Sequence, residues 1–353
     1  MRAYQVSVFD TPLVAADAPT PEPMGEEVLV RVEAAGVCHS DLHICDGFYD
    51  LGSGKKLRMG ERGVSLPLTM GHEIAGEIVS AGPDSEPVTR GQKVVVYPWI
   101  GCGTCAMCAR GDENLCSKPR FLGIFRGGGY ATHVLVPHKR YCLPIGGMDP
   151  QAAAPYACSG LTTWSALAKV DPVLLKEEPV LVIGAGGLGL MCVSLMRAMG
   201  AKGAIVADID DAKRRAALDA GALAAMDPRD PDAAARVKAL TGQGGGAHAA
   251  IDLVGAGSSV QFALDCAARG GKIIVVGLIG GEITLPVPVI PQRALTIQGS
   301  YVGNLRELEE LMRFVSDTRP QAIPTSPMRL DQANAALDAL RRGGVIGRIV
   351  LRP

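Results

Sequence analysis

Four of the ten cysteines fall within residues 102–116, spaced C-x2-C-x2-C-x7-C as Cys102, Cys105, Cys108 and Cys116. Two-residue gaps let neighbouring thiolates converge on one ion about 2.3 Å from each sulfur. The residues between the first three, Gly103, Thr104, Ala106 and Met107, are small or flexible enough to let the backbone wrap a tetrahedral site. A disulfide cluster would need an oxidising compartment. An iron–sulfur cluster is the other rival, but the chain has neither the C-x4-C-x2-C order nor the C-x2-C-x2-C-x3-C-P run. The spacing predicts a structural zinc.

A glycine motif points to a second chemistry. Gly184-Ala185-Gly186-Gly187-Leu188-Gly189 reads G-x-G-x-x-G, follows an apolar strand pattern and opens a helical one. Gly184 suits the tight turn, Gly186 lets a pyrophosphate approach the backbone, and Gly189 lets helix and strand pack closely. The helix N-terminus offers free N–H groups and a partial positive charge to phosphates. Asp208 ends the next apolar run, 19 residues after Gly189. An acid there accepts a hydrogen bond from the ribose 2′-OH and selects NAD over NADP. Asp210 and Asp211 could take that role, but their place after the strand suits the start of a helix.

A third group lies near the N-terminus: Cys38-His39-Ser40-Asp41-Leu42-His43, and beyond it His72-Glu73. Singly, Cys38 reads equally well as a small buried hydrophobe and His72 as a hydrogen-bonded core residue. His39 and His43, four apart, could pair on a helix around a metal. No H-E-x-x-H is present, so a metalloprotease has no support.

The elements that must carry these residues change character along the chain. Up to about residue 155 the pattern is one of strands and loops, with strands expected at Glu27–Ala35, Glu73–Ala81, Gln92–Tyr97 and Tyr130–Val136. Between Phe48 and Pro67 a long polar loop is expected, carrying Lys55, Lys56, Arg58 and Arg62; it reads as a solvated surface or as a clamp for an anionic substrate. From Pro179 strands alternate with helices: strands at Val180–Ile183, Ala204–Ala207, His248–Leu253 and Lys272–Val276, helices at Leu188–Met199, Asp211–Ala220 and Val260–Ala268. That rhythm predicts a parallel, doubly wound sheet. Helical patterns at Leu305–Phe314 and Gln332–Leu340 and a strand at Arg348–Leu351 come last.

Bulk properties narrow the function classes. At 353 residues the chain is long enough for two domains, and its formal charge of -1 gives no electrostatic case for nucleic acid or an anionic membrane surface. Pro179–Met196 carries no charge for 18 residues, but four glycines within six residues argue against a spanning helix. The opening MRAYQVSVFD has no n-region or h-region, so the expected compartment is the cytoplasm.

Taken together, GVCHSD (Gly36–Asp41), GHEIAG (Gly71–Gly76), the four-cysteine loop, GAGGLG (Gly184–Gly189) and GRIVL (Gly347–Leu351) resemble, in order and spacing, the zinc-dependent medium-chain alcohol dehydrogenases. The 48–67 loop and CSGLTTW (Cys158–Trp164) are most similar to the tetrameric bacterial and archaeal members. The resemblance implies a mostly-β, GroES-like catalytic domain over residues 1–157 and 297–353 carrying two zinc sites, and a Rossmann NAD-binding domain over 158–296. It implies a catalytic zinc on Cys38, His72 and Cys158, backed by the carboxylates of Asp41 and Glu73. Ser40 and His43 resemble a proton relay, and Arg348 and His39 resemble contacts to the cofactor phosphates. By position, Phe48 and Trp99 flank the substrate pocket, although Trp99 reads equally as core. The implied activity is reversible, NAD-dependent oxidation of a primary or secondary alcohol to an aldehyde or ketone by a homotetramer built as a dimer of dimers, with the apolar Ile283–Ile297 segment at the sheet edge. A polyol or cinnamyl-type relative, and a non-catalytic zinc- and NAD-binding protein, remain as alternatives.

Overall fold

The computed structural model describes residues 1–241 and 245–353. The strand Val28–Val37 is the hub of a seven-stranded sheet ordered Cys142–Pro144, Lys93–Val96, Glu73–Ala81, Val28–Val37, Arg348–Arg352 and Thr325–Arg329, with His133–Val136 also on Val28–Val37. Two registers gather distant segments at one place. Gly36 pairs with Glu73, and Val37 pairs with Ile349, both antiparallel. The chain therefore leaves the sheet at one end through Cys38 and enters it there through His72 and Arg348.

The second sheet has six strands, all parallel, ordered Ala224–Met226, Ala204–Ala207, Val180–Ile183, Ala247–Asp252, Ala267–Val275 and Thr296–Gly299. The order reverses direction beside Val180–Ile183, which creates the crevice where dinucleotides bind in such sheets. Alternate residues of its strands feed different cores. Val180, Val182, Val206 and Ile251 join one cluster, while Leu181, Ile183, Ile205 and Ala250 join another on the opposite face. Period-two alternation with both faces apolar is what a sheet covered on two sides requires. This is the expected parallel, doubly wound sheet beside a mostly-β unit.

Some expectations shift. The segment read as a polar loop folds partly into a hairpin, Phe48–Asp50 against Lys56–Arg58. Turn glycines at Gly52 (φ +82°) and Gly54 (φ +76°) allow the reversal, and their number is what makes the segment look irregular in sequence. The helix expected to reach Ala268 stops at Cys266, and a strand starts at Ala267. The division expected between residues 296 and 297 cuts through the edge strand Thr296–Gly299, so the parallel sheet runs to Gly299. Within Ile283–Ile297 only that strand's first residues lie at the edge; Val289–Arg293 is a short helix. Among the described residues no helix is long and apolar enough to cross a membrane.

Two candidate metal centres and a dinucleotide crevice

The cysteine lobe is local. Its sulfurs lie 3.5 Å (Cys105–Cys108), 3.7 Å (Cys105–Cys116) and 3.9 Å (Cys102–Cys108) apart, and no disulfide joins any of them. A tetrahedron with arms of about 2.3 Å has edges of about 3.8 Å, so the cage fits one zinc. Backbone N–H groups of Cys102 and Lys118 point at Cys116 Sγ from 3.2 and 3.3 Å, and such donors favour thiolates. Gly101 is obligatory, because a Cβ there would stand 2.4 Å from Cys108 Sγ. Buried Glu113 braces the lobe, accepting from Gly101 N–H (2.9 Å), Tyr141 Oη (2.8 Å) and Arg140 (2.8 Å).

The second group is assembled from three segments. Cys38 stands at the N-cap of the helix His39–Asp46, His72 just before Glu73–Ala81, and Cys158 at the N-cap of the helix Ser159–Leu167. Their ligand atoms lie within 4.8 Å of one another and all three side chains are buried. His72 Nδ1 is 3.3 Å from Asp41 Oδ1, leaving Nε2 buried with no protein partner. Two sulfurs and an orphaned imidazole nitrogen are the donor set that a Cys2His zinc site would use. Asp41 is fully buried and held from its other side: Oδ2 accepts from Cys38 N–H (2.8 Å) and Tyr130 Oη (3.0 Å). This fixes the imidazole's orientation. The N-cap is thus Cys38 and not Ser40, which occupies the helix's second position and is half-buried.

The electrostatics favour a cation. The hydrogen bond from Cys158 holds the Cys38 thiol well below its usual range and keeps the proton on Cys158. Burial works against a proton on His72, yet Asp41 and Cys38 outweigh it and raise its pKa well above the ordinary value. Glu73 is pushed up to about 7 by burial, against the pull of Arg348. Glu73 Oε1 sits 3.1 Å from Arg348 Nη2 and accepts from Ser159 N–H at 3.2 Å. It stands behind the three ligands rather than among them.

Arg348 ties this centre to the crevice. A Cβ on Gly187 would lie 3.1 Å from its guanidinium carbon and 2.8 Å from Gly347 O. Gly187 opens the helix Gly187–Ala198, whose N-cap Gly186 makes no side-chain cap. The glycines behave as the motif predicts: Gly184 has φ +98°, Gly186 faces open space, and a Cβ on Gly189 would meet Gly184 O at 2.0 Å. Leu188 lies in the first turn of that helix. Asp208 accepts from Ala185 N–H (2.7 Å) and Asp210 N–H (2.8 Å), which leaves lone pairs for a ribose hydroxyl. Asp210 is the N-cap of the next helix, as its position suggests. His39, the first residue of the helix after Cys38, has its pKa lowered by burial and by the nearby Arg348 and Lys213 charges.

The remaining expected residues fall nearby. His43 packs on Tyr49 at 4.8 Å, and burial lowers its pKa. Phe48 carries Lys56 Nζ over its ring at 3.6 Å, so Tyr49, not Phe48, is the aromatic that touches His43. Trp99 is buried, 5.3 Å from the His72 ring, with Nε1 donating to Ala157 O at 3.0 Å. Two further residues stand here that the sequence does not single out: Tyr301, 6.3 Å from Trp99, and Thr162, one turn after Cys158 with a buried, unpartnered hydroxyl. Only the i+4 spacing from Cys158 signals Thr162; nothing in the sequence signals Tyr301.

Known proteins place the chain in a family. The pattern described as "Alcohol dehydrogenase GroES-like domain" matches residues 24–147, and "Zinc-binding dehydrogenase" matches residues 187–317. An NAD-dependent alcohol dehydrogenase of Sulfurisphaera tokodaii is 37% identical over the full length of both chains. D-arabinose 1-dehydrogenase (NADP(+)) of Saccharolobus solfataricus is 33% identical, over 100% of this chain and 97% of that one. The solved alcohol dehydrogenase of Aeropyrum pernix superposes with a TM-score of 0.89 at 30% identity, covering both chains fully. This chain belongs to the zinc-binding, medium-chain alcohol dehydrogenase family.

Proposed function

We propose that the protein is an NAD-dependent alcohol dehydrogenase, interconverting a primary or secondary alcohol and its aldehyde or ketone. The observation that carries this reading is the join at Arg348. One buried guanidinium lies against both the glycine turn of the crevice and the carboxylate behind the Cys38–His72–Cys158 group. A hydride acceptor in the crevice and an alcohol at the metal centre would therefore be neighbours.

Cys38, His72 and Cys158 would hold the catalytic zinc, and Cys102, Cys105, Cys108 and Cys116 the structural one. An ion held there would supply polarisation of an alcohol oxygen, lowering its pKa. NAD in the crevice supplies the hydride-accepting ring. The chain's own residues do the rest. Asp41 keeps His72 Nε2 turned inward, and Glu73 balances the buried Arg348 charge beside the pyrophosphate site. His39 adds a second phosphate contact. Asp208 takes the ribose hydroxyl, and a 2′-phosphate beside it brings like charges together. Ser40 Oγ would take the alcohol proton while passing its own on, by way of the cofactor ribose, to His43, which releases it to solvent; burial keeps that imidazole neutral near pH 7 and able to accept. Trp99, packed on His72, keeps water from the ligands.

The same reading divides the chain into residues 1–157 and 297–353 for catalysis and 158–296 for the cofactor, adjusted to the sheet edge at Gly299. Ten cysteines outside any disulfide suit a reducing compartment such as the cytoplasm. Exposed Ile283, Val287, Ile290 and Ile297 beside an open sheet edge support assembly into a homotetramer as a dimer of dimers. Light scattering that gives a monomer at micromolar concentration would remove the assembly from this reading. The central test is NADH formation over a panel of primary, secondary and aromatic alcohols, alongside a zinc count. Two zincs per chain with turnover support the reading; a single zinc and no turnover on any alcohol leave a non-catalytic binding protein.

A further inference from the structure

The segment 48–67 carries four cations that the dehydrogenase reaction does not use. Three are accounted for. Lys55 and Arg58 are exposed, and Lys56 covers the outer ring of Phe48 at 3.6 Å. Arg62 differs. Its guanidinium lies 5.3 Å from the Tyr49 ring and makes a weak contact to Met59 Sδ at 3.8 Å, with the Tyr49 and Tyr301 phenols as its other polar neighbours. Among the described residues no carboxylate stands within 4.0 Å of it. It is half-buried, so its charge is only partly hydrated.

Its neighbours set its place. Tyr49 packs on His43 at 4.8 Å, and on the other side Arg62 acts on the Tyr301 phenol. Tyr301 stands 6.3 Å from Trp99, which stands 5.3 Å from the metal-site His72. The wall thus runs from His72 through two aromatic rings to a cation with no carboxylate partner, and returns through Tyr49 to His43. A substrate lying along this wall would meet aromatic rings and a single positive group. Aromatic walls with one placed charge are how small-molecule sites fix orientation, and a guanidinium is the group best suited to a planar carboxylate.

We propose that Arg62 is a specificity-determining residue, and that the preferred substrates are alcohols, or the corresponding carbonyl compounds, bearing a carboxylate several bonds from the reacting carbon. The intervening rings separate Arg62 from the metal centre, so 2-hydroxy acids, whose carboxylate adjoins the carbinol, do not fit. The inference rests on the alcohol dehydrogenase reading. The reaction is unchanged: the carbinol C–H leaves as hydride to NAD, the O–H proton goes to solvent, and a carbonyl remains.

The test uses the zinc-loaded enzyme with NAD and matched pairs: 4-hydroxybutanoate, 5-hydroxypentanoate and 6-hydroxyhexanoate against the uncharged primary alcohols of equal chain length. The wild type should favour at least one carboxylate by about tenfold or more in kcat/KM, chiefly through KM, as one charge-assisted contact supplies. In Arg62→Met that ratio should collapse toward unity, and in Arg62→Lys it should be partly kept. Added salt should lower kcat/KM for the carboxylate more than for the neutral partner. A wild type that oxidises neutral alcohols as well as, or better than, every carboxylate overturns this inference and leaves the dehydrogenase reading standing. A ratio that survives in Arg62→Met also overturns it. Turnover of neither series, with NAD and two zincs bound, sinks the dehydrogenase reading itself.

Discussion

The lobe at Cys102–Cys116 and the centre at Cys38, His72 and Cys158 both gather sulfur ligands, yet the first lies within one loop and the second joins three distant segments. The lobe's cysteines are mostly half-exposed and steadied by local backbone N–H groups. The centre is buried, and its ligands are steadied by Asp41, Tyr130 and the strand registers that bring Cys38 and His72 to one sheet end. The lobe has little apolar core, so its ion is expected to contribute much of its stability. The centre is held by packed strands, so its fold is expected to depend little on an ion. Metal should act on stability in one region and on chemistry in the other.

The widest separation is expected from single ligand changes. Cys38→Ala should lower kcat by about 10³-fold or more, by loss of the polarising ion. Zinc content should fall from two to one per chain, with the melting temperature nearly unchanged. Cys105→Ser should do the reverse, lowering the melting temperature by roughly 10 °C or more while turnover per folded molecule persists. Calorimetry and elemental analysis check both; a Cys38 variant that unfolds, or a Cys105 variant as stable as wild type, breaks the contrast.

A smaller effect tests the crevice. NAD should be preferred over NADP by about 10²-fold in kcat/KM, and Asp208→Ser should narrow that gap. Equal use of both cofactors by the wild type would remove Asp208 from this role.

The smallest effect concerns the path between centre and solvent. Ser40→Ala should reduce kcat with both zincs retained, and His43→Gln should reduce it about tenfold, partly restored by an external buffer base. Burial sets the His43 pKa below its ordinary 6.5, and the charges of Cys38 and Asp46 only partly oppose this. The base is therefore the neutral form, present above that lowered value. Activity should hold as pH falls to 6.5 and drop only below it, and this acid limb should vanish in His43→Gln. A stability loss in Ser40→Ala with unchanged kcat would reduce the serine to a helix-start residue.

The same contrast governs how legible each region is in the sequence. The lobe can be read directly, because its ligands and its geometry share one stretch of chain. The glycine turn can be read because Gly184, Gly186 and Gly189 answer to local steric demands that hold in any such fold. The buried centre cannot be read from spacing: 34 residues separate Cys38 from His72, and only the Gly36–Glu73 register brings them together. Cys158 comes from resemblance alone, since one cysteine before a helix carries no metal signature. The 48–58 hairpin is hidden by its glycines and charges, and the Trp99–Tyr301 contact by the two hundred residues between its partners. The strand Thr296–Gly299 escapes notice because its alternating pattern is only four residues long.

The pairing of Val37 with Ile349 has a consequence for synthesis. Arg348, bonded to Val37 O from 311 residues away, arrives long after the parallel sheet's last strand at Gly299. On the ribosome the nucleotide unit can close first, while the sheet around Val28–Val37 waits with an open edge. Closure of so non-local a contact is slow, and an unpaired strand edge is exposed until it happens. The residue that joins the two sites is thus also the one whose arrival completes the sheet, so a chain stalled before it would present a finished nucleotide fold beside a catalytic half that is sticky and inactive.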